Sequence, residues 1–269
     1  KVIKINDLIL LARSFKNSPQ LFILDNLVKD GYLVGDINLN FDDTGKIKDN
    51  YEVKGTIKKG KLSFLKKYAI DDLDLFFKIK YKELNLENIK ISFNKIKLSL
   101  PLMKIKERNN QFLINGELIN KKENINIKLI EGFLGDSFKD HNVKEIFFSS
   151  KNNFTFNLNK KFKISNFNLK SKIDLNKLVY ENDFSNIKNY LPYYKNLIKL
   201  EDHTILLNHK KNQFNFKGKG KLIINDQEDS LNYTIDKKKD QYFFDTNINI
   251  KKNSILFHTL NYEQKENDE

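Results

Sequence analysis

The side chains best suited to acid–base or metal chemistry are the four histidines, His141, His203, His209 and His258. His203 ends the tripeptide Glu201-Asp202-His203, which sets two carboxylates beside an imidazole as a general acid–base group would require. The tripeptide falls at the start of a predicted strand, just after a loop, where charged residues are common. We read it as part of a strand start and not as catalytic machinery. His203 and His209 can share a strand face, but a metal would need a third ligand. Asp71, Asp72 and Asp74 could attract a cation and are read as another acidic strand start. Gly218-Lys-Gly220-Lys221 lacks the spacing and the Lys-Ser/Thr end of a phosphate-binding loop. There is no Gly-x-Ser-x-Gly elbow. The absence of Cys excludes disulfides, thiolate zinc sites and a cysteine nucleophile. The expectation is a protein that is not an enzyme and has no cofactor and no metal.

Charge points the same way. Lys and Arg number 48 against 35 Asp and Glu, a formal net charge of +13. The excess is almost all lysine, with Arg13 and Arg108 the two arginines. A nucleic-acid groove favours arginine forks, whereas these lysines recur as alternate strand residues, the pattern of a solvated outer face. No nucleic-acid partner is expected. Attraction to anionic lipid headgroups remains open, since a lysine near such a surface contributes ~1 kcal/mol.

Those residues must be positioned by elements that the periodicity reveals. Residues 1–30 read as helical, with Asp7 capping one segment, Ser18 and Pro19 starting a second, and Gly31 ending it. From Gly31 the period becomes two. Residues 31–130 form a first strand series, with a turn at Asp43-Thr44-Gly45 and a bulge near Glu87-Asn88. Residues 131–150 read as a loop or short helix, and residues 151–262 as a second strand series, interrupted over 176–198. Residues 263–269 read as a polar tail. Glycine recurs two residues before an apolar strand residue, in Gly35-Asp-Ile37, Gly55-Thr-Ile57, Gly60-Lys-Leu62, Gly116-Glu-Leu118 and Gly220-Lys-Leu222. Repeated at similar places, such glycines could bend a sheet progressively. The chain opens on Lys1 without a signal peptide, which reads as a piece of something longer.

Strands with one apolar and one polar face must hide the apolar one. The helical material is too scant to cover so many strands. A long sheet curled on itself could instead cover its inner face with its own opposite wall and with bound apolar ligand. The fold class expected is therefore mainly β: a long, curved antiparallel sheet forming an open, taco-like hydrophobic groove, with short helices at the N-terminus and in two interruptions. From alternation, the lining would be Ile37, Leu39, Phe41, Val53, Ile57, Leu62, Phe64, Leu73, Leu75, Phe77 and Ile79. The other reading is a structural or adhesive all-β module with a closed, dry core.

The run Gly31-Tyr-Leu-Val-Gly-Asp-Ile-Asn-Leu-Asn-Phe41, the helix before it, and Tyr51-Glu-Val-Lys-Gly-Thr-Ile-Lys-Lys-Gly-Lys-Leu62 resemble the AsmA-like repeating β-groove proteins of bacterial envelopes, of the YhdP/TamB type. The likeness covers most of residues 18–262. It implies a segment of a periplasmic bridge, anchored in the inner membrane, that carries phospholipid in its groove toward the outer membrane. Membrane proteins at both ends would be its partners.

Overall fold

The computed structural model describes residues 2–15, 19–64, 68–124, 127, 142–161, 163–181, 185–191, 193–211, 213–238 and 241–265. A two-residue strand, β1 (Ile3–Lys4), leads into helices α1 (Ile5–Phe15) and α2 (Pro19–Leu27). Proline suits the first helical position of α2, where an N–H has no partner anyway. The strands β2 (Val28–Asn38), β3 (Glu52–Phe64), β4 (Tyr68–Lys80), β5 (Glu83–Phe93), β6 (Ile96–Arg108) and β7 (Gln111–Asn124) follow. Next come β8 (Val143–Asn159), β9 (Ile164–Glu181) and the short helix α3 (Ser185–Lys188). The series continues with β10 (Leu197–Lys210), β11 (Gln213–Ile224), β12 (Gln227–Lys238) and β13 (Gln241–Asn249). A hairpin of β14 (Ile255–Phe257) and β15 (Tyr262–Gln264) ends the described chain. The fold is mainly β: β1 to β13 pair in sequence order in one antiparallel sheet that does not close into a barrel.

Several boundaries differ from expectation, each for a local reason. The second helix stops at Leu27, because Val28 already pairs with Leu62 of β3. Gly31 is no helix cap. It lies in β2 at a register shift with φ of +143°, with Ile5 Cδ1 and the Gly60 backbone pressed against it. The interruption expected over 131–150 is already strand from Val143. Adjacent Phe147-Phe148 and Ser149-Ser150 hide the alternation, because β8 is partly buried on both faces. Likewise β9 runs to Glu181, past the break expected at 176. Glu263 and Gln264 are not tail but strand, paired with Leu256 and Ile255. Residues 128–141 and 266–269, on which the remaining loop and tail expectations fall, lie outside the described residues.

The chain divides into two compact units, residues 1–120 with 153–168, and residues 121–152 with 169–269. In the first, one-residue bulges step through successive strands. Lys59 in β3, Asp72 in β4 and Asn88 in β5 have φ of 53°, 52° and 51°, and the register shifts at each. In β6 the register slips between Ser99 and Met103, the stretch that holds Pro101, which has no N–H to donate to a ladder. The expected bulge at Glu87-Asn88 is thus one of a set. Asp74 clamps the β3 bulge: its Oδ1 accepts the Lys59 N–H and its Oδ2 the Lys58 ammonium, both at 2.9 Å. Burial acts to raise the Asp74 carboxyl, but those two donors outweigh it and hold it below its ordinary range.

The core of this unit is one cluster, with Leu75, Phe77, Ile89 and Leu100 buried and Leu33, Val53, Ile57, Leu73, Ile79, Leu84 and Leu86 half-buried against them. Truncating Leu75, 7% exposed, to alanine should cost ~2–4 kcal/mol. The same change at Ile37, 67% exposed, should stay within ~0.5 kcal/mol. Urea denaturation of the two variants checks the contrast.

Candidate functional site

Register carries one apolar row across six strands of the first unit. Ile37 faces Val53, Val53 faces Ile79, Ile79 faces Leu84, Leu84 faces Ile105 and Ile105 faces Ile114. The next row runs Gly35, Gly55, Phe77, Leu86, Met103 and Gly116. Its glycines make room for rings. A Cβ on Gly55 would lie 2.7 Å from Cζ of Phe77, and one on Gly116 would lie 2.8 Å from Cζ of Phe154. After the bulges the face resumes with Leu62, Ile70 and Phe93, paired in that order.

Of the residues expected to line a groove, Ile37, Val53, Ile57, Leu62, Leu73, Leu75, Phe77 and Ile79 share this face by register. Leu39 and Phe41 do not join it. They lie beyond the end of β2 and are exposed, and Phe41 instead forms an isolated bridge with Ile47 across the Asp43-Thr44-Gly45 turn. There Asp42 Oδ1 accepts the Thr44 and Lys46 N–H groups. The alternation of 37, 39 and 41 runs past the point where a partner strand exists. The Phe64 side chain lies outside the described residues. Leu75 and Phe77 are buried by the chain itself, so they serve the core first, and an aspartate at either would unfold the unit. Leu84, Leu86, Met103, Ile105 and Ile114 extend the face and carry the same alternation, but the expected lining stopped at Ile79.

The second unit repeats the construction. One face holds Ile198, Leu200, His203, Ile205 and Leu207 of β10, and Ile224, Leu222, Gly220, Gly218 and Phe216 of β11 opposite them. Leu231, Tyr233 and Ile235 of β12 continue it to Ile248, Thr246 and Phe244 of β13. The bulge here is Asp202, with φ of 52°. It turns His203 inward, where the ring occupies the space above Gly220: a Cβ there would lie 2.3 Å from Cδ2. Tyr233 covers Gly218 in the same way. The rings of His203, Tyr233 and Phe216 stack at centroid spacings of 5.9 and 5.8 Å. His203 is 1% exposed; its Nε2–H donates to the Lys221 carbonyl at 2.9 Å, and Nδ1 is buried without a partner. His203 thus packs within the ring stack, and Asp202 and Glu201 belong to the strand. Desolvation lowers its pKa, outweighing the Lys221 carbonyl and the Asp202 charge.

One end of this face is covered by the chain. Leu191 and Tyr194 are buried against Leu222 and Ile224, with Ile187 and Ile255 beside them. The strap that brings Ile255 there is anchored by Asp229, 6% exposed. Asp229 Oδ1 accepts the Lys251 and Lys252 N–H groups at 2.8 and 3.1 Å, and Oδ2 accepts Asn253 Nδ2 at 2.8 Å. Leu256 N–H then donates to the Tyr190 carbonyl at 2.9 Å, and Tyr190, Phe257 and Tyr262 pack ring against ring. Along the edge strand β13 the face stays open, with Phe244 70% and Ile248 47% exposed.

The opposite faces carry the charge. Glu52 pairs with Lys78 and Lys80, and Glu83 with Lys106. Lys221 lies between Glu228 and Asp202, which together hold its ammonium above the ordinary lysine range. Such exposed pairs each contribute ~0–1 kcal/mol. Their effect is to keep this face wet, which leaves the apolar face as the candidate site. Compared with family models, curated proteins and solved structures, the chain matches none.

Two outcomes follow from this unit. Burial lowers the His203 pKa in the folded state, so the unfolded chain takes up a proton first as pH falls, and stability drops as pH falls below the ordinary value of 6.5. Melting temperature should therefore decline between about pH 7.5 and 5.5, and His203→Phe, which keeps the stack, should flatten that decline. Separately, Asp229→Ala should cost ~2 kcal/mol or more and raise hydrogen exchange at residues 251–257 before the rest of the unit.

Proposed function

We propose that the apolar face carries phospholipid acyl chains, and that the chain is a segment of a bridge-like lipid-transfer protein of the bacterial envelope. The observation that carries this reading is the six-residue row from Ile37 to Ile114. It is apolar at every position and crosses successive strands without interruption. Moving a CH₂ from water to such a wall gains ~0.8 kcal/mol, so a 16-carbon chain crossing water alone faces roughly 12 kcal/mol. A continuous wall of Val, Ile, Leu and Met removes most of that barrier and holds a chain equally well at each position, so it can slide. Lysines on the opposite face suit an anionic headgroup environment. The resemblance to AsmA-like proteins supports a periplasmic place, inner-membrane anchoring of the full-length protein, and membrane-protein partners at both ends. Among the described residues, no helix is long and apolar enough to cross a membrane. In this reading the protein performs no bond chemistry and needs no cofactor.

A second reading, a structural or adhesive β module with a dry core, is favoured by the burial of Leu222 and Ile224 under the chain's own Leu191 and Tyr194.

Solvent extraction of the purified protein followed by mass spectrometry separates the two. The lipid reading expects bound phospholipid. Ile37→Asp, at the exposed end of the row, should lower it ~10-fold or more while the circular dichroism stays that of the parent. Wild-type protein free of lipid would leave the dry module standing.

A further inference from the structure

The paired helices at the start of the chain leave Leu8, Leu10, Leu11, Phe15, Phe22 and Leu24 exposed. On α1 the buried side chain is Ile9, with Ile5, Ala12 and Arg13 half-buried around it. On another side Leu8, Leu11 and Phe15, spaced i, i+3, i+7, are 38%, 56% and 84% exposed. The helix pair is fixed elsewhere. Arg13 pairs with Asp25 of α2, and its guanidinium lies 5.6 Å from the centre of the Phe22 ring. Asn6 Nδ2 donates to the Val28 carbonyl at 3.3 Å, and Ile5 packs on Gly31. The apolar stripe is thus left over after the helices have been attached to the sheet.

Charge near the stripe is unequal. Asp25 is paired with Arg13, while Asp30 accepts the Gly31 N–H and keeps its charge opposite Lys61. Asp7 and Asp30 thus stand against four exposed lysines, 4, 29, 59 and 61, on the strands that carry the helices. We propose that α1 is a membrane-docking helix that lies in the interface of an anionic bilayer, with Leu8, Leu11 and Phe15 among the acyl chains and the lysines at the phosphates. A stripe of three side chains is small against the ~800 Å² per partner that a stable protein interface buries. It is enough for interfacial binding, which adds electrostatic attraction to a modest apolar area. The inference goes beyond the acyl-chain reading and stands without it, since α1 can bind a bilayer whether or not the sheet carries lipid.

Flotation of the full chain tests it, with vesicles of phosphatidylcholine alone and of phosphatidylcholine mixed with phosphatidylglycerol. The protein should float with the anionic vesicles and much less with the neutral ones, and high salt should weaken the binding. The double variant Leu11→Asp with Phe15→Asp replaces exposed residues, so it should fold normally and bind ~10-fold more weakly or less. Lys4→Glu with Lys61→Glu should remove the preference for anionic vesicles. Leu11→Trp gives a readout that does not need flotation: its emission should shift to the blue with anionic vesicles. No flotation, or flotation that the double variant leaves intact, would overturn the proposal. So would a dimer of the parent that the double variant turns into monomer, because the stripe would then be covered by a second copy. Loss of vesicle binding with co-purified phospholipid retained would separate this inference from the acyl-chain reading.

Discussion

Register is the constraint on which the rest depends. In a β-strand successive side chains point to opposite faces, so a slip of one residue would send every apolar side chain of that strand into water. This sheet inserts single residues on purpose, and the sequence follows. In β4 the inward positions run 79, 77, 75 and 73, then jump to 70 across Asp72. In β5 they run 84 and 86, then 89 and 91 across Asn88. In β10 they run 198 and 200, then 203 and 205 across Asp202. Odd and even exchange at each bulge, so the apolar face continues where a uniform pattern would have turned it outward. Asp and Asn tolerate the left-handed backbone that each insertion demands. Lys59 does not favour it, and the Asp74 carboxylate holds that bulge from the neighbouring strand.

From this follows a division of labour between the faces. The outer one is a lattice of lysines and carboxylates whose pairs are partly exposed. The inner one is made by fitting rings over glycines. Phe77 lies over Gly55, Phe154 over Gly116 and Tyr233 over Gly218, so the bulkiest side chains lie beside the barest backbone. Of the five glycines predicted to bend the sheet, Gly55, Gly116 and Gly220 act as ring seats, for Phe77, Phe154 and His203, whereas Gly35 and Gly60 face backbone and Leu73. Among non-glycine residues, left-handed backbone within the strands falls on Lys59, Asp72, Asn88, Asn166 and Asp202, and the register also shifts beside Gly60.

Fold class was legible because alternation survives in most strands, and the turn at Asp43-Thr44-Gly45 has unmistakable chemistry. What stayed hidden was anything that depends on a neighbour. Leu39 and Phe41 alternate perfectly yet have no partner strand beside them in the ladder. Leu75 and Phe77 look no different from Val53 and Ile79 in sequence, yet the first pair is core and the second half-open. His203 reads as part of a strand start, but its place in the ring stack stayed hidden, because the space above Gly220 that it fills belongs to the neighbouring strand. Asp229 gave no signal at all, because its three partners are 22–24 residues away.

The strict order of the ladder, each strand beside its neighbours in sequence, also governs how such a molecule comes into being. Apart from the longer connections before β2, β3, β8 and β10, each pairing step closes a short loop, so little chain entropy is lost at once and growth can proceed hairpin by hairpin. A gene coding for this arrangement can gain or lose a hairpin without rewiring what is already there, much as tandem arrays do. Length is then a freely adjustable trait, set by how many ribbons are strung together.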